Sequence, residues 1–147
     1  MNTVYFSLGA NLGNREQTLM EAIHRMEQRV GTLLRCSSFY YSEPWGFRSE
    51  HAFCNLCASF QTDQSPDQVL AETQIIEREL GRLTKTCVNT ENGTPIYHDR
   101  TIDIDLLQYF DHKGEEMVID SPLLTLPHPH IQERDFVRIP LQEITIS

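Results

Sequence analysis

"TIDIDLLQYF", residues 101–110, places aliphatic side chains at one set of alternate positions and acids at the other. That period of two predicts a strand with Ile102, Ile104 and Leu106 turned into a core. Asp103 and Asp105 then share the opposite face, their Cα atoms about 6.6–7 Å apart at ~3.3 Å per residue. Asp is among the poorest strand formers, and two carboxylates on one face repel unless something cationic lies between them. Hard oxygen ligands select Mg²⁺ or Mn²⁺, and Mg²⁺ is commonly held by one or two carboxylates together with substrate phosphates and water. The plainer alternative is a half-exposed strand with an acidic wet face, since a bare D-x-D is a short motif. Arg100, three residues before Asp103, supplies a fixed cation suited to a phosphate, or simply a solvated charge at the strand edge.

Working outward, "TVYFSLGANLG" reads as a strand ending in a glycine-punctuated turn. Asn14, with Gln17 three residues on, predicts an N-cap for a helix carrying Leu19, Ile23, Met26 and Val30 on one face, stopped by Gly31. "TLLRCSSFYYS" and "AFCNLCASFQT" are the next strands, and the polar "EPWGFRSEH" between them is too long for a tight hairpin turn. Ser65-Pro66 with Gln68 is a capping-box start, followed by an inward stripe of Val69, Thr73, Ile76 and Leu80. Gln74 and Glu77 share a neighbouring face of that helix, and Arg82 sits at its end. Residues 82–99 form a long loop, and the proline-rich remainder is expected to give short strands and one helical turn. The order strand, helix, strand, strand, helix, strand is the split βαβ pattern of a ferredoxin-like α+β fold. Its two helices would cover one face of an antiparallel sheet and leave the other free for a site.

With 147 residues the chain is expected to form one domain, 1–147, able to bury roughly two-thirds of its unfolded surface. The formal net charge of -9 argues against a nucleic-acid or anionic-membrane partner, which would want a basic face. No apolar run approaches a membrane span, and the amino terminus lacks the pattern of a signal peptide, so a cytoplasmic monomer is expected. "CNLC" has the C-x-x-C spacing of zinc or redox sites. In a strand, however, Cys54 and Cys57 point to opposite faces, so buried thiols are the expectation.

Several stretches together resemble the 6-hydroxymethyl-7,8-dihydropterin pyrophosphokinases of folate synthesis. They are "SLGANLGNR", "SSFYYSEPWG", "FCNLCASF", "IERELGR", "RTIDIDLL" and "LPHPHIQERDFVRIPL", in order over nearly the whole chain. The resemblance implies a ferredoxin-like fold and transfer of the β,γ-diphosphoryl unit of ATP to the pterin hydroxymethyl oxygen, with release of AMP. It implies that Asp103 and Asp105 hold two Mg²⁺ ions, and that Arg82 and Arg100 bring charge to the phosphates as a loop closes. It further implies ATP contacts at Gln74, Glu77, Arg82, Arg100, His128 and Arg134. Asn55 would hydrogen-bond the pterin edge, Phe53 and Phe136 would sandwich its ring, and Ser42, Glu43 and Trp45 would complete the substrate site.

The chain departs from the family where W-G-P-R is usual: it reads "IYHDR", Asp99 taking the proline position, and Tyr97 is expected to act as a lid. The stretch from Arg82 to Arg100 is several residues longer than usual, with Thr84 and Lys85 in place of the second arginine of R-x-R. The sequence also stops short of the longer tail that many members have. Two rival readings are a D-x-D nucleotide-sugar transferase and a non-catalytic ferredoxin-like binding module.

Overall fold

The computed structural model describes residues 1–11, 14–42, 53–82 and 102–145, with the Arg82 side chain outside that set. Strand β1 (Asn2–Ala10) leads into helix α1 (Arg15–Arg29), then β2 (Thr32–Cys36), β3 (Tyr40–Ser42) and β4 (Phe53–Thr62). Helix α2 (Pro66–Arg82) and strand β5 (Asp103–Phe110) follow, then a two-stranded ribbon, β6 (Ile119–Asp120) and β7 (Thr125–Leu126), and helix α3 (Asp135–Thr145). The main sheet is antiparallel in the order β2-β4-β1-β5, with β3 pairing β4 alongside β2. β1 and β2, joined through α1, thus flank β4, which is the split βαβ arrangement of the ferredoxin-like α+β fold.

Local chemistry fixes both sheet-covering helices. Asn14 Oδ1 accepts the Gln17 N–H at 3.1 Å, satisfying one of the donors that the first turn of α1 leaves open. At α2 the box is reciprocal: Gln68 N–H donates to Ser65 Oγ at 3.2 Å and Ser65 N–H to Gln68 Oε1 at 3.0 Å. Arg25 and Arg29 of α1 reach Glu79 of α2 at 3.0 and 2.7 Å, tying the helices together. Gly31 does more than end α1. A Cβ there would stand 1.9 Å from the Gln61 carbonyl oxygen, so the chain passes β4 too closely for any side chain.

The inner face of the sheet is apolar over its central rows. Val4, Phe6, Leu8 and Ala10 of β1, Cys54, Leu56, Ala58 and Phe60 of β4, and Ile104 and Leu106 of β5 pack against Leu19, Ile23 and Met26 of α1 and Val69, Ile76 and Leu80 of α2. Phe6 and Phe60 meet edge to face at 5.7 Å. Each of the Val, Leu, Ile, Phe and Met side chains among them contributes about 1.5–3 kcal/mol by leaving water.

Three expectations need correction. The stretch 32–42 is two strands rather than one. Ser37 leaves the ladder, its N–H donating to the Cys57 carbonyl at 2.8 Å while its Oγ accepts the Cys57 N–H at 2.9 Å. The carboxy-terminal part holds an 11-residue helix, α3, in place of a single helical turn. Its Pro140 is buried with Val137, Leu141 and Ile144, so the ring serves as part of the apolar stripe at the loss of one backbone bond. Finally, the second sheet face is not left free: α3 packs on it through Val137, Leu141 and Ile144 against Cys57 and Leu107.

Candidate active site

α3 covers only part of its face, and the register places the polar residues of three strands side by side on the rest. Gly9 of β1 pairs with Asn55 of β4 on one side and with Asp103 of β5 on the other. The next pairs along that face align Cys57, Ser7 and Asp105. Neighbouring strands lie 4.7–4.9 Å apart, so Asn55 and Asp103 stand roughly 10 Å apart across the bare Gly9. Asp103 and Asp105 are both half-buried, and the intervening Ile104 points into the inner core, as the alternation predicts. Leu107 has no partner on β1, because the register shifts between Tyr5 and Phe6, and this bulge ends the acidic part of the strand.

Asn55 is 3% exposed and its amide is locked. Nδ2 donates to the Tyr40 carbonyl at 3.0 Å and to Ser42 Oγ at 2.8 Å. Oδ1 is the end that faces β1: a Cβ on Gly9 would lie 2.8 Å from it and 3.5 Å from Phe53 Cδ1. Ser42, Asn55, Phe53 and Gly9 therefore form one continuous floor, with a carbonyl acceptor in its centre. β3, which carries Ser42, is moored to the start of α1 by Tyr41, whose hydroxyl donates to Glu16 Oε2 at 2.6 Å. That bond pushes the Tyr41 phenol up to about 12 and lowers the Glu16 carboxyl.

At the outer side of β5, Glu77 of α2 accepts the Ile104 N–H at 2.7 Å, and Gln74, three residues earlier, is exposed. The "PHPH" turn lies against the same strand, since His128 N–H donates to the Leu107 carbonyl at 2.9 Å. His128 Nδ1 accepts the His130 N–H at 3.1 Å, which leaves Nε2 as the protonated ring nitrogen. Burial first, then Arg134 and His130, hold the His128 imidazole below its usual range, against the opposing pull of Asp103. Arg134 lies over the Phe136 ring, 5.9 Å from its centroid, and Phe136 packs against the second core cluster.

The structure thus gathers Asp103, Asp105, Asn55, Ser42 and Phe53 on one sheet face, with His128, Arg134 and Phe136 beside them and Glu77 behind β5. Gln74 sits apart on the α2 surface. Glu43, Trp45, Arg100, Tyr97 and the Arg82 side chain lie outside the described residues. Ser7 and Gly9 join the site with no signal of their own, because only the register of β1 shows what lies on either side of them. The C-x-x-C pair behaves as alternation requires: Cys54 lies in the inner core and Cys57 in the outer one. Burial raises both thiols, Cys57 to about 12. Among the described residues no three His, Cys, Asp or Glu side chains converge as a metal cage. Two hard carboxylates suit instead an ion that arrives with phosphate and water oxygens.

The model of the 7,8-dihydro-6-hydroxymethylpterin-pyrophosphokinase family matches residues 5–146. The chain belongs to this family. Among the pyrophosphokinases it resembles, a Porphyromonas gingivalis 2-amino-4-hydroxy-6-hydroxymethyldihydropteridine pyrophosphokinase is 46% identical over 98% of this chain and 91% of that protein. A protein of the same description from Aquifex aeolicus is 34% identical over 98% of this chain and 81% of its own length. The fold is shared with a solved HPPK-DHPS structure in complex with substrates, at a TM-score of 0.67 and 12% identity. That match covers 97% of this chain and 40% of the solved one. Membership over nearly the whole chain does not favour a sugar transferase or a non-catalytic module. Among the described residues, no helix is long and apolar enough to cross a membrane.

Proposed function

We propose that this pyrophosphokinase transfers diphosphate from ATP to 6-hydroxymethyl-7,8-dihydropterin, yielding AMP and the pterin diphosphate in folate biosynthesis. It does so as a single domain and a cytoplasmic monomer. The observation that carries this reading is the alignment of Asn55, Gly9 and Asp103 across three adjacent strands, which sets an amide acceptor for a flat heterocycle beside an acid pair. The hydroxymethyl oxygen forms a bond to the β-phosphorus, the bond from that phosphorus to the α,β-bridging oxygen breaks, AMP leaves, and the hydroxyl proton is released.

Asn55 holds the acceptor in place. With Nδ2 committed to Tyr40 and Ser42, its Oδ1 receives N–H donors from the pterin edge, and the absent Gly9 side chain lets the ring lie close to β1. Phe53 and Phe136 offer apolar faces to the ring, with Ser42, Glu43 and Trp45 around its edge. Asp103 and Asp105 would hold two Mg²⁺ ions, which when bound neutralise phosphate charge and polarise the transferred group. His128 remains neutral at pH 7 and donates from Nε2 to a phosphate oxygen, and Arg134 adds a guanidinium fork. Gln74 is assigned to the nucleotide from its exposed place on α2, and Arg82 and Arg100, whose side chains lie outside the described residues, are assigned to the charge on the leaving phosphate.

Incubation with ATP, Mg²⁺ and the reduced pterin tests the proposal by following AMP. AMP release that depends on the pterin is the expected result. ADP as product, or AMP formed equally well without pterin, contradicts it.

A further inference from the structure

Among the described residues β5 is an edge strand of the main sheet, with β1 on one side and no sheet strand on the other. An antiparallel ladder directs the backbone groups of alternate residues towards the partner strand and those between them outward. Ile104 N–H points outward, because Glu77 Oε2 takes it at 2.7 Å. The residues turned towards β1 are therefore Asp103 and Asp105, paired with Gly9 and Ser7. Further along the same edge, the Leu107 carbonyl accepts from His128 N–H and the Tyr109 carbonyl from Met117 N–H, at 2.9 and 2.8 Å. Those two closures are made by backbone. Among these three closures, the one between the acids is made by a side-chain carboxylate.

The elements behind that bond are firmly placed. Ile76 and Leu80 of α2 lie in the same apolar cluster as Ile102 and Ile104, so the carboxylate of Glu77 projects from a helix docked on the strand it holds. An ionised acceptor makes a stronger bond than a neutral one, and it anchors the segment whose two carboxylates must stay together despite mutual repulsion.

We infer that Glu77 is a positioning residue: by holding the Ile104 amide from α2 it fixes the spacing of Asp103 and Asp105, and so acts on the divalent ions through the strand. This rests on the reading that the acid pair holds those ions during diphosphate transfer. It differs from a direct contact with ATP in what a neutral substitute can do, because glutamine at residue 77 can still accept the Ile104 N–H but carries no charge.

The test compares the wild type with Glu77→Gln and Glu77→Ala. Exchange of the Ile104 amide proton is read by NMR in the ligand-free chain, and binding of Mn²⁺ with α,β-methylene-ATP by electron paramagnetic resonance. In Glu77→Ala the amide is expected to exchange faster, Mn²⁺ to bind weaker and kcat at saturating ATP to fall, each on the order of tenfold or more, as expected for loss of a charge-assisted bond. Glu77→Gln should keep the amide protected and restore Mn²⁺ affinity and kcat to within about threefold of wild type, consistent with a neutral hydrogen bond replacing a charged one. Amide protection and Mn²⁺ affinity falling together, in either variant, supports the clamp. Mn²⁺ affinity lost while the amide stays protected overturns it, as does a freely exchanging amide with Mn²⁺ affinity intact; Glu77→Gln decides alone if Glu77→Ala does not fold. A wild type that makes no pterin-dependent AMP would sink the functional reading instead, leaving the amide and Mn²⁺ measurements to judge the clamp separately.

Discussion

The two faces of one sheet divide the work of this molecule. On the inner face β1 offers Val4, Phe6, Leu8 and Ala10, all of them fully buried under α1 and α2. On the outer face the same strand offers Tyr5, Ser7 and Gly9, flanked by Asn55 and the acid pair. α3 seals the outer face around Cys57, Leu107 and the flank of Tyr5. A period of two lets adjacent residues serve unrelated ends: Leu8 supports the fold, and Gly9, its neighbour, shapes the floor of the site. Substitutions on the two faces should therefore separate stability from turnover.

The largest separation is expected at Asp103. Asp103→Ala should lower AMP release by about a hundredfold or more, the scale of losing a principal charge-stabilising group, while thermal melting stays near wild type. A variant with near-normal turnover at saturating Mg²⁺ would break the division of faces. Leu8→Ala probes the other side of the same row. It should cost about 2–5 kcal/mol in denaturant unfolding, because the buried side chain leaves a cavity. The folded fraction should keep the wild-type KM for both substrates. A selective loss of pterin affinity there would mean that the faces are coupled.

Gly9→Ala sharpens the contrast further. The backbone at residue 9 is one that alanine adopts, but the new methyl group would press on the locked Asn55 Oδ1 at 2.8 Å, so some stability is lost as that amide shifts. KM for the pterin should rise roughly tenfold to a hundredfold, the cost of shifting a positioning group by a fraction of an ångström to one ångström. Binding of the nucleotide alone should be unchanged. The smallest effect concerns the mooring of β3 by Tyr41. A phenol whose folded value is raised to about 12 from its ordinary 10.0 adds stability that is fully present below the unfolded value and lost as pH rises through the folded one. Tyr41→Phe should flatten the fall in melting temperature between those values, and an unaltered alkaline profile would contradict the bond to Glu16.

The inner face was the more legible of the two in the sequence. Asn14 with Gln17, Ser65 with Gln68, and the stripes that follow them announce α1 and α2 through local bonds and helical spacing, and both caps form. The acid pair was legible for a different reason: aspartates in a strand conflict with propensity and repulsion, so they ask for a cation. α3 was obscured because Pro140 reads as a breaker, although Val137, Leu141 and Ile144 already keep helical spacing. Ser7, Gly9 and the mooring of Asn55 to Tyr40 depend on which strand lies beside which. Residues 101–110 read alone cannot carry that pairing, whereas the order of elements along the chain restricts it. The resemblance placed Asn55 and Phe53 in the site, but not the glycine that gives them room.

The central claim is that Asp103 and Asp105 together bring a metal-bound triphosphate to the outer face. Calorimetric titration with Mg²⁺ and α,β-methylene-ATP, whose α–β linkage cannot be cut, tests it in wild type and in the double variant Asp103→Asn, Asp105→Asn. Saturable Mg²⁺-dependent binding by the wild type and its loss in a folded double variant is the predicted result. Equal affinity in the two proteins would contradict the account.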